Sequence, residues 1–398
     1  MDQFSHIYYG VMKSFSVKNK KLRCPKEEGR EVAETLARGA KKNSQLLCSL
    51  NSSNPHVSVF SQRGKKGINQ DCTVVWEEFG CQKDMVFCGV FDGHGPWGHY
   101  ISRKVRDWMP PTLLCQWQEI LALNHLTSNV KKPCKTVGND VKFGGMDCIE
   151  AFDIWKQSFL RTSALIDEEL HRHRGIDSYY SGTTAVTIVK QGDLIVVANV
   201  GDSRAVLGTT SDDGNLAAVQ LTVDLKPNLP QEAARIRHCN GRVYCLPDEP
   251  GVNRVWLPNE ESPGLAMSRA FGDYCLKDFG LISVPEVTYR HLTNNDRFLL
   301  LASDGVWDVL SNQEAVEIIA SSPQRETAAK RLVECAVKAW RWKKPGLAVD
   351  DCAAVCFYLD NFLSPNKQIN SFKPASSSRV ERYRNEKAYN IGKGLLCK

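Results

Sequence analysis

The feature that most constrains this sequence is a set of strand-like apolar runs, each of which has an aspartate at one end. The runs are rich in β-branched residues, which favour strands. The five aspartates are far apart along the chain: Asp71, Asp92, Asp202, Asp304 and Asp350. A carboxylate within or directly after a buried strand is costly unless its charge is compensated. We therefore expect a fold that brings these aspartates together around a compensating charge.

The order of the predicted elements favours an α+β fold. Alternating or β-branched apolar runs predict strands at 57–60, 72–76, 85–91, 183–189, 194–200, 297–302 and 352–359. Apolar residues at helical spacing predict helices at 97–108, 149–173, 312–320 and 325–342. Since the strands come in runs and the helices lie between them in groups, we predict mostly antiparallel sheets with helices outside.

The basic charge of the chain lies at its two ends. Of 398 residues with a net charge of +6, residues 1–50 carry +5, residues 361–398 carry +6, and the part between them carries −5. An acidic middle fits cation binding better than nucleic-acid binding, so no nucleic-acid partner is expected. We predict a basic N-terminal arm at 1–55, a folded domain at 56–362 with a surface insertion at 125–148, and a basic, disordered tail at 363–398.

Cysteine usage and hydropathy point to an intracellular protein without a membrane anchor. The chain has 15 cysteines but no Cys-x-x-Cys pair and no secretory signal, so we interpret them as reduced thiols. No apolar run approaches the length of a membrane-spanning helix. Position 2 is Asp, which excludes N-myristoylation, and there is no prenylation motif. We expect a monomer in the cytoplasm, the nucleus or both.

The residue types at the strand ends are those of a metal-dependent hydrolase. Carboxylates and glycine-flanked carbonyls prefer Mg²⁺ or Mn²⁺ over zinc. Two such ions close together can turn a bridging water into hydroxide and neutralise a phosphate. His94, two residues after Asp92, could protonate a leaving oxygen as general acid. Taken singly, an Asp-Gly pair is usually a turn and a histidine a surface residue. Five segments that each place an acidic residue beside a strand end favour a functional site over five unrelated turns.

With these segments in place, the sequence resembles the metal-dependent type 2C protein serine/threonine phosphatases, the PPM family. The resemblance covers residues 57–360, and the wording of several motifs is most similar to plant members. In family order the motifs are GKKGINQD, VFDGHG, SGTTAV, ANVGDSRAVL, DLKPNLPQEAARI, GLAMSRAFGD, VPEV, LLASDGVWDVLS and DDCAAVC. The resemblance implies an αββα sandwich of two antiparallel sheets with a binuclear Mg²⁺/Mn²⁺ centre at one edge.

The resemblance also implies a set of metal ligands. Asp92 would bridge both metals, and Gly93 would offer its backbone carbonyl to one of them. Asp304 would bind one metal directly, and Asp350 would bind the same metal. The family has an Asp-Asn pair where this chain has two aspartates, so Asp351 stays open as the alternative ligand.

Further roles follow from the same resemblance. Asp71 would act mainly through metal-bound water, and Asp202 would help to hold a third, weaker metal. His94 would be the general acid, so His94 and Asp71 are the predicted catalytic residues. Lys66 stands where the family has a phosphate-contacting arginine, and Arg63 is the substitute candidate.

Two departures from the family leave two hypotheses. Gln70 replaces a frequent glutamate, and Lys66 supplies charge without the bidentate fork of arginine. The first hypothesis is a phosphatase that hydrolyses phosphoserine and phosphothreonine in protein substrates by attack of metal-bridging hydroxide. The alternative is a weakly active pseudophosphatase that binds a phosphorylated partner or a kinase. No core ligand is lost, so the first hypothesis is favoured.

Overall fold

A computed structural model of the chain describes residues 56–128 and 148–359, apart from the side chains of 125–128 and 148. The predicted arm at 1–55, the tail at 363–398 and most of the predicted insertion lie outside these residues, so those boundaries stay predictions. The cysteines with described side chains are free thiols. Within the described ranges, no helix is long and apolar enough to cross a membrane.

The strands and helices alternate in groups along the chain. The strands of the described residues are β1 (Val57–Gln62), β2 (Asp71–Glu77), β3 (Met85–His94), β4 (Gly182–Thr183), β5 (Ala185–Gln191), β6 (Leu194–Val200), β7 (Arg204–Thr210), β8 (Leu216–Gln220), β9 (Arg242–Tyr244), β10 (Arg254–Trp256), β11 (Pro263–Leu265), β12 (Phe271–Gly272), β13 (Glu286–His291), β14 (Asp296–Ala302) and β15 (Cys352–Tyr358). The helices are α1 (Gly98–Ser128), α2 (Cys148–Arg172), α3 (Pro230–His238), α4 (Tyr274–Lys277), α5 (Asp304–Trp307), α6 (Asn312–Ala320) and α7 (Ala328–Lys343), with short 3₁₀ turns at Phe79–Cys81 and Arg325–Thr327.

The strands form two large sheets and a small one. The first sheet has the order β1-β15-β14-β7-β8, and the second has the order β12-β4-β3-β5-β6-β13, with β2 also paired to β3. The strand pairs of both sheets are antiparallel. The small sheet, β11-β10-β9, lies in the segment between α3 and β12. The predicted mostly antiparallel architecture is confirmed.

Alternation along β14 shows why the sheets stack. Leu299 and Leu301 pack with apolar residues of the second sheet, such as Val90 and Val197. Leu300, between them, faces the opposite way and packs with residues of α6 and α7. The period of two along a strand produces this division. On the far side of the second sheet, α1 and α2 bury their own apolar residues. The result is the αββα sandwich that the resemblance implied.

Two predicted elements are too short. Strand β3 continues through Asp92 and Gly93 to His94 instead of ending at residue 91. Helix α1 continues to Ser128 instead of ending near 108, although it contains Pro110 and Pro111. Proline removes helical hydrogen bonds, but helical spacing continues beyond the pair, and burial of those apolar residues outweighs the loss. The helix therefore enters the first residues of the predicted insertion.

Candidate active site

Asp71 and Asp92 face each other on neighbouring strands. Asp71 is the first residue of β2 and is paired in register with Asp92 of β3. The sequence placed Asp92 after a strand, whereas it lies within one, so the backbone ladder fixes its position. Hydroxyl groups add to this, because Thr183 Oγ1 donates to the Asp92 carbonyl (3.0 Å) and the Asp92 N–H donates to Thr184 Oγ1 (3.1 Å).

Asp304 and Asp350 come from the first sheet. Asp304 opens α5 directly after β14, and Asp350 precedes β15, the neighbour of β14. Ser303 joins the two sheets at this edge. Its hydroxyl accepts from the Ala353 N–H (2.9 Å) and donates to Asp71 Oδ2 (2.6 Å). The sandwich thus brings together four of the predicted site aspartates that are far apart in sequence.

The carboxylates of this edge outnumber the cations beside them. Burial raises the pKa values of Asp71, Asp92 and Asp304 well above the usual range, and the negative charges of their neighbours raise them further. Among the described residues, Oδ1 of Asp71 and Oδ1 of Asp202 are buried without a hydrogen-bond partner. Acids held so close together cannot all ionise unless a cation lies among them.

Asp350 and Asp351 have different surroundings. Both oxygens of Asp351 accept backbone N–H bonds, from Gly64 (2.7 Å) and from Gln70 (2.8 Å). Asp350 instead accepts a bond from Lys66 Nζ. Burial lowers the pKa of Lys66, but the charges of Asp350, Asp304 and Asp92 outweigh this and raise it. Asp351 therefore anchors the loop that precedes β2, and Asp350 is the one directed to the charged cluster.

Asp202 lies beside a cation that the sequence analysis did not single out. Its buried carboxylate accepts a hydrogen bond from Lys226 Nζ. Burial opposes the charged form of Lys226, yet Asp202 and Asp304 raise its pKa overall. Lys226 belongs to the DLKPNLP motif, which was the available signal. Two lysines, Lys66 and Lys226, thus lie against the aspartate cluster.

His94 is held by a second residue that the sequence analysis missed. His94 Nε2 lies 2.6 Å from Asp273 Oδ2, and both side chains are mostly buried. Burial lowers the pKa of His94, but the charge and hydrogen bond of Asp273 outweigh it and raise the pKa. Asp273 ends the GLAMSRAFGD motif, to which no site role was assigned. His99 is on α1, with its ring 4.1 Å from that of Tyr100.

Gly93 is required by close backbone packing. A Cβ at this position would lie 2.4 Å from the Gly98 carbonyl oxygen. Arg63, in contrast, is exposed, and no hydrogen bond or ion pair links it to the cluster in the described ranges. Of the two predicted phosphate-contacting residues, the structure brings only Lys66 to the carboxylates.

The donor set fits divalent cations in charge and chemistry. It consists of aspartate oxygens and a glycine carbonyl, which are ligands for Mg²⁺ and Mn²⁺. Within the described part of the chain, however, no three His, Cys, Asp or Glu side chains already converge as metal ligands do. The ion pairs of Asp350 with Lys66 and of Asp202 with Lys226 account for part of this difference.

Known proteins are similar to this chain in both sequence and fold. The family described as "Protein phosphatase 2C" matches residues 62–341. The chain is 56% identical over 364 residues to "Probable protein phosphatase 2C 73" of Arabidopsis thaliana, covering 90% of this chain and 95% of that protein. It is 53% identical over 362 residues to "Probable protein phosphatase 2C 48" of Oryza sativa subsp. japonica, covering 90% and 98%.

A solved structure agrees with these relatives. The crystal structure of serine-threonine phosphatase 2C from Toxoplasma gondii superposes with a TM-score of 0.66 at 28% identity, covering 77% of this chain and 96% of that one. The family match spans most of the described residues, including Asp71, Asp92 and Asp304. The chain belongs to the protein phosphatase 2C family, is similar to its plant members, and is a protein phosphatase.

Proposed function

We propose that this protein hydrolyses phosphoserine and phosphothreonine in protein substrates and that it does so with two divalent cations, Mg²⁺ or Mn²⁺. The observation that carries the proposal is the cluster of buried, mutually repelling carboxylates of Asp71, Asp92 and Asp304. Such a cluster is costly to build, and binding of cations offsets its cost. A phosphate dianion needs the same positive charge at the same place.

Each acidic residue has a separate task in this proposal. Asp92, Asp304 and Asp350 would hold the two ions, with the Gly93 carbonyl as a further ligand, and Asp71 would act through water. When bound, such ions supply positive charge and acidify a water. Asp351 is assigned an anchoring task, since its two oxygens already accept the Gly64 and Gln70 N–H groups. A third ion at Asp202 would have to displace Lys226, which agrees with weaker binding.

The remaining steps belong to side chains of the chain itself. Lys66 orients the phosphate by charge, because its long stem is partly exposed and its ammonium already faces the carboxylates. The oxygen of water forms a bond to phosphorus and the water gives up a proton to solvent, while the bond from phosphorus to the side-chain oxygen breaks. The departing alkoxide takes a proton from His94, which later regains one from solvent. Proton donation of this kind contributes roughly 10²–10⁴-fold.

Nothing in the described site favours the pseudophosphatase alternative. None of the core carboxylates is missing, and Gln70 keeps a structural contact through its backbone N–H. The expected absence of nucleic-acid partners, the monomeric state and the intracellular location stay predictions.

A phosphothreonine peptide tests the proposal. The purified protein should release phosphate with Mn²⁺ or Mg²⁺, lose this activity with a chelator, and regain it when the metal is restored. Asp92→Asn should abolish turnover because it removes the shared ligand. Asp107→Asn, a change at an exposed carboxylate of α1, is the matched control and should keep activity. Turnover that survives both chelation and Asp92→Asn would contradict the metal-dependent proposal.

A further inference from the structure

Asp273 occupies an unusual backbone conformation beside the reaction site. Its φ of 52° and ψ of 48° lie in the left-handed region, which few residues other than glycine adopt. The residue directly follows β12, and its N–H donates to the Ser181 carbonyl at 2.9 Å. The side chain is buried. Such a conformation persists only where the surrounding structure enforces it, and it is found preferentially at functional sites.

Three short strand segments create the space in which Asp273 meets His94. Gly182 of β4 is paired with His94 on one side and with Gly272 on the other. A Cβ on Gly182 would lie 2.1 Å from Asp273 Oδ2 and 2.8 Å from His94 Nε2. The missing side chain of Gly182 therefore leaves room for a direct bond between two residues that are far apart in sequence.

The hydrogen bond to Asp273 fixes the orientation of the His94 ring. Nε2 is 2.6 Å from Asp273 Oδ2, while Nδ1 is buried and has no hydrogen-bond partner among the described residues. A carboxylate that accepts from one ring nitrogen sets the tautomer and orientation of the imidazole, which leaves the other nitrogen for a different task. Asp273 makes no hydrogen bond to the metal-ligand candidates themselves.

We propose that Asp273 is the positioning residue for His94: it holds the ring so that Nδ1 is presented to the departing oxygen. This inference rests on the proposed function, in which His94 gives a proton to the alkoxide. Because Asp273 acts through the ring, its loss should affect proton delivery and leave substrate binding intact.

Substrates whose leaving groups differ in basicity distinguish the positioning role of Asp273 from a purely structural role. The alcohol of phosphothreonine is a poor leaving group that needs a proton, whereas the phenol of p-nitrophenyl phosphate leaves without one. Asp273→Asn should lower kcat on a phosphothreonine peptide by about 10–100-fold, with KM unchanged within about twofold. The loss on p-nitrophenyl phosphate should be clearly smaller. Asp278→Asn, at the exposed other end of α4, should change neither.

A double-mutant cycle adds a second criterion. In the His94→Gln background, Asp273→Asn should cause no further loss on the peptide, because the residue acts only through the ring. Equal losses on the two substrates, or additive losses in the double variant, would overturn the inference. A wild-type protein that hydrolyses neither substrate would instead refute the proposed function.

Nitrogen NMR of the His94 side chain decides the pairing without reference to turnover. In the wild type with the ring in its acid form, both ring nitrogens should appear protonated. The Nε2 signal should move in Asp273→Asn, while that of the control Asp278→Asn stays in place. The same ¹⁵N spectra report whether each variant is folded. An unchanged His94 signal in a folded Asp273→Asn protein would exclude the positioning role, whatever the activity.

Discussion

Two groups of carboxylates in this protein have opposite pKa shifts because their surroundings differ. Glu232 of α3 accepts hydrogen bonds from Arg235, Arg269 and Ser268. Burial raises the pKa of Glu232, but the two arginines outweigh it and lower the pKa to about 2. Asp92 and Asp304 have no such partners, and their pKa values are raised. The shifts are opposite because Glu232 is paired with two arginines, whereas Asp92 and Asp304 lie mainly among other carboxylates.

This difference in compensation distinguishes Glu232, a structural anchor, from the aspartates of the candidate active site. Glu232 ties α3 to the segment that follows β11, because Arg235 also bonds the carbonyls of Ser268 and Gly280, and Arg269 bonds that of Val284. Every charge there finds a partner, so the group stabilises the fold. The aspartate cluster at the sandwich edge is compensated only in part, by Lys66 and Lys226, at a cost to the stability of the metal-free protein.

The largest expected effect comes from removing one uncompensated carboxylate. Asp304→Asn should lower kcat/KM on a phosphothreonine peptide by about a thousandfold, or ~4 kcal/mol, because it removes a metal ligand. The same change should raise the thermal midpoint in the presence of a chelator, since it relieves repulsion with Asp92. Steady-state kinetics and thermal unfolding of one preparation measure both effects.

Asp213→Asn is the matched control for this variant. Asp213 is exposed in the turn between β7 and β8. Exposed surface charges contribute little, so both readouts should stay near wild type. A metal-free Asp304→Asn protein that unfolds at a lower temperature than wild type would contradict the idea that this cluster lacks compensation.

Removing the compensated carboxylate of Glu232 should lower the stability of the protein, which is the opposite of the effect expected for metal-free Asp304→Asn. Glu232→Gln leaves two buried guanidinium groups without their shared counter-charge, and such a change costs about 3 kcal/mol. Urea unfolding should show the loss, while kcat at low temperature, where the protein stays folded, should be close to wild type. Glu261→Gln, at an exposed position in the same region, is the control. A loss of kcat without a loss of stability would contradict the anchor role.

The sequence was sufficient for the sandwich and for naming most of the aspartates that meet at its edge, because both rest on local patterns. Strand periodicity and the aspartates beside the strands are local signals, and the family motifs assigned Asp92, Asp304 and Asp350. The pairing of His94 with Asp273 could not be inferred this way. It depends on a glycine of a third strand leaving space, which no periodicity encodes.

Two other differences between the sequence-based predictions and the structure also arise from tertiary contacts. The extent of α1 past Pro110 and Pro111 depends on the burial of apolar residues against α2 and the second sheet, which overrides the local signal to stop. The separate tasks of Asp350 and Asp351 depend on which backbone N–H groups lie nearby. Tertiary contacts decide both questions, and adjacent identical residues carry no sequence signal that distinguishes them.

The smallest expected effect is a pH dependence that distinguishes the two groups of carboxylates in the metal-free protein. The folded pKa of Glu232, about 2, lies below the unfolded value. Its stabilisation is therefore complete above the unfolded pKa of about 4.3 and is lost as the pH falls toward 2. The stability difference between wild type and Glu232→Gln should shrink by about 1 kcal/mol between pH 6 and pH 3.5.

For Asp304 the sign is reversed. Its folded pKa is raised, so the ionised form is penalised in the folded state. The penalty begins to shrink as the pH falls through that raised value and is gone below the unfolded pKa of about 3.9. The excess stability of Asp304→Asn over wild type should therefore be largest near neutral pH and vanish on acidification. Urea unfolding at a series of pH values, with chelator present, measures both differences. Parallel pH curves for wild type and the two variants would show that neither carboxylate has a shifted pKa and would remove the contrast between them.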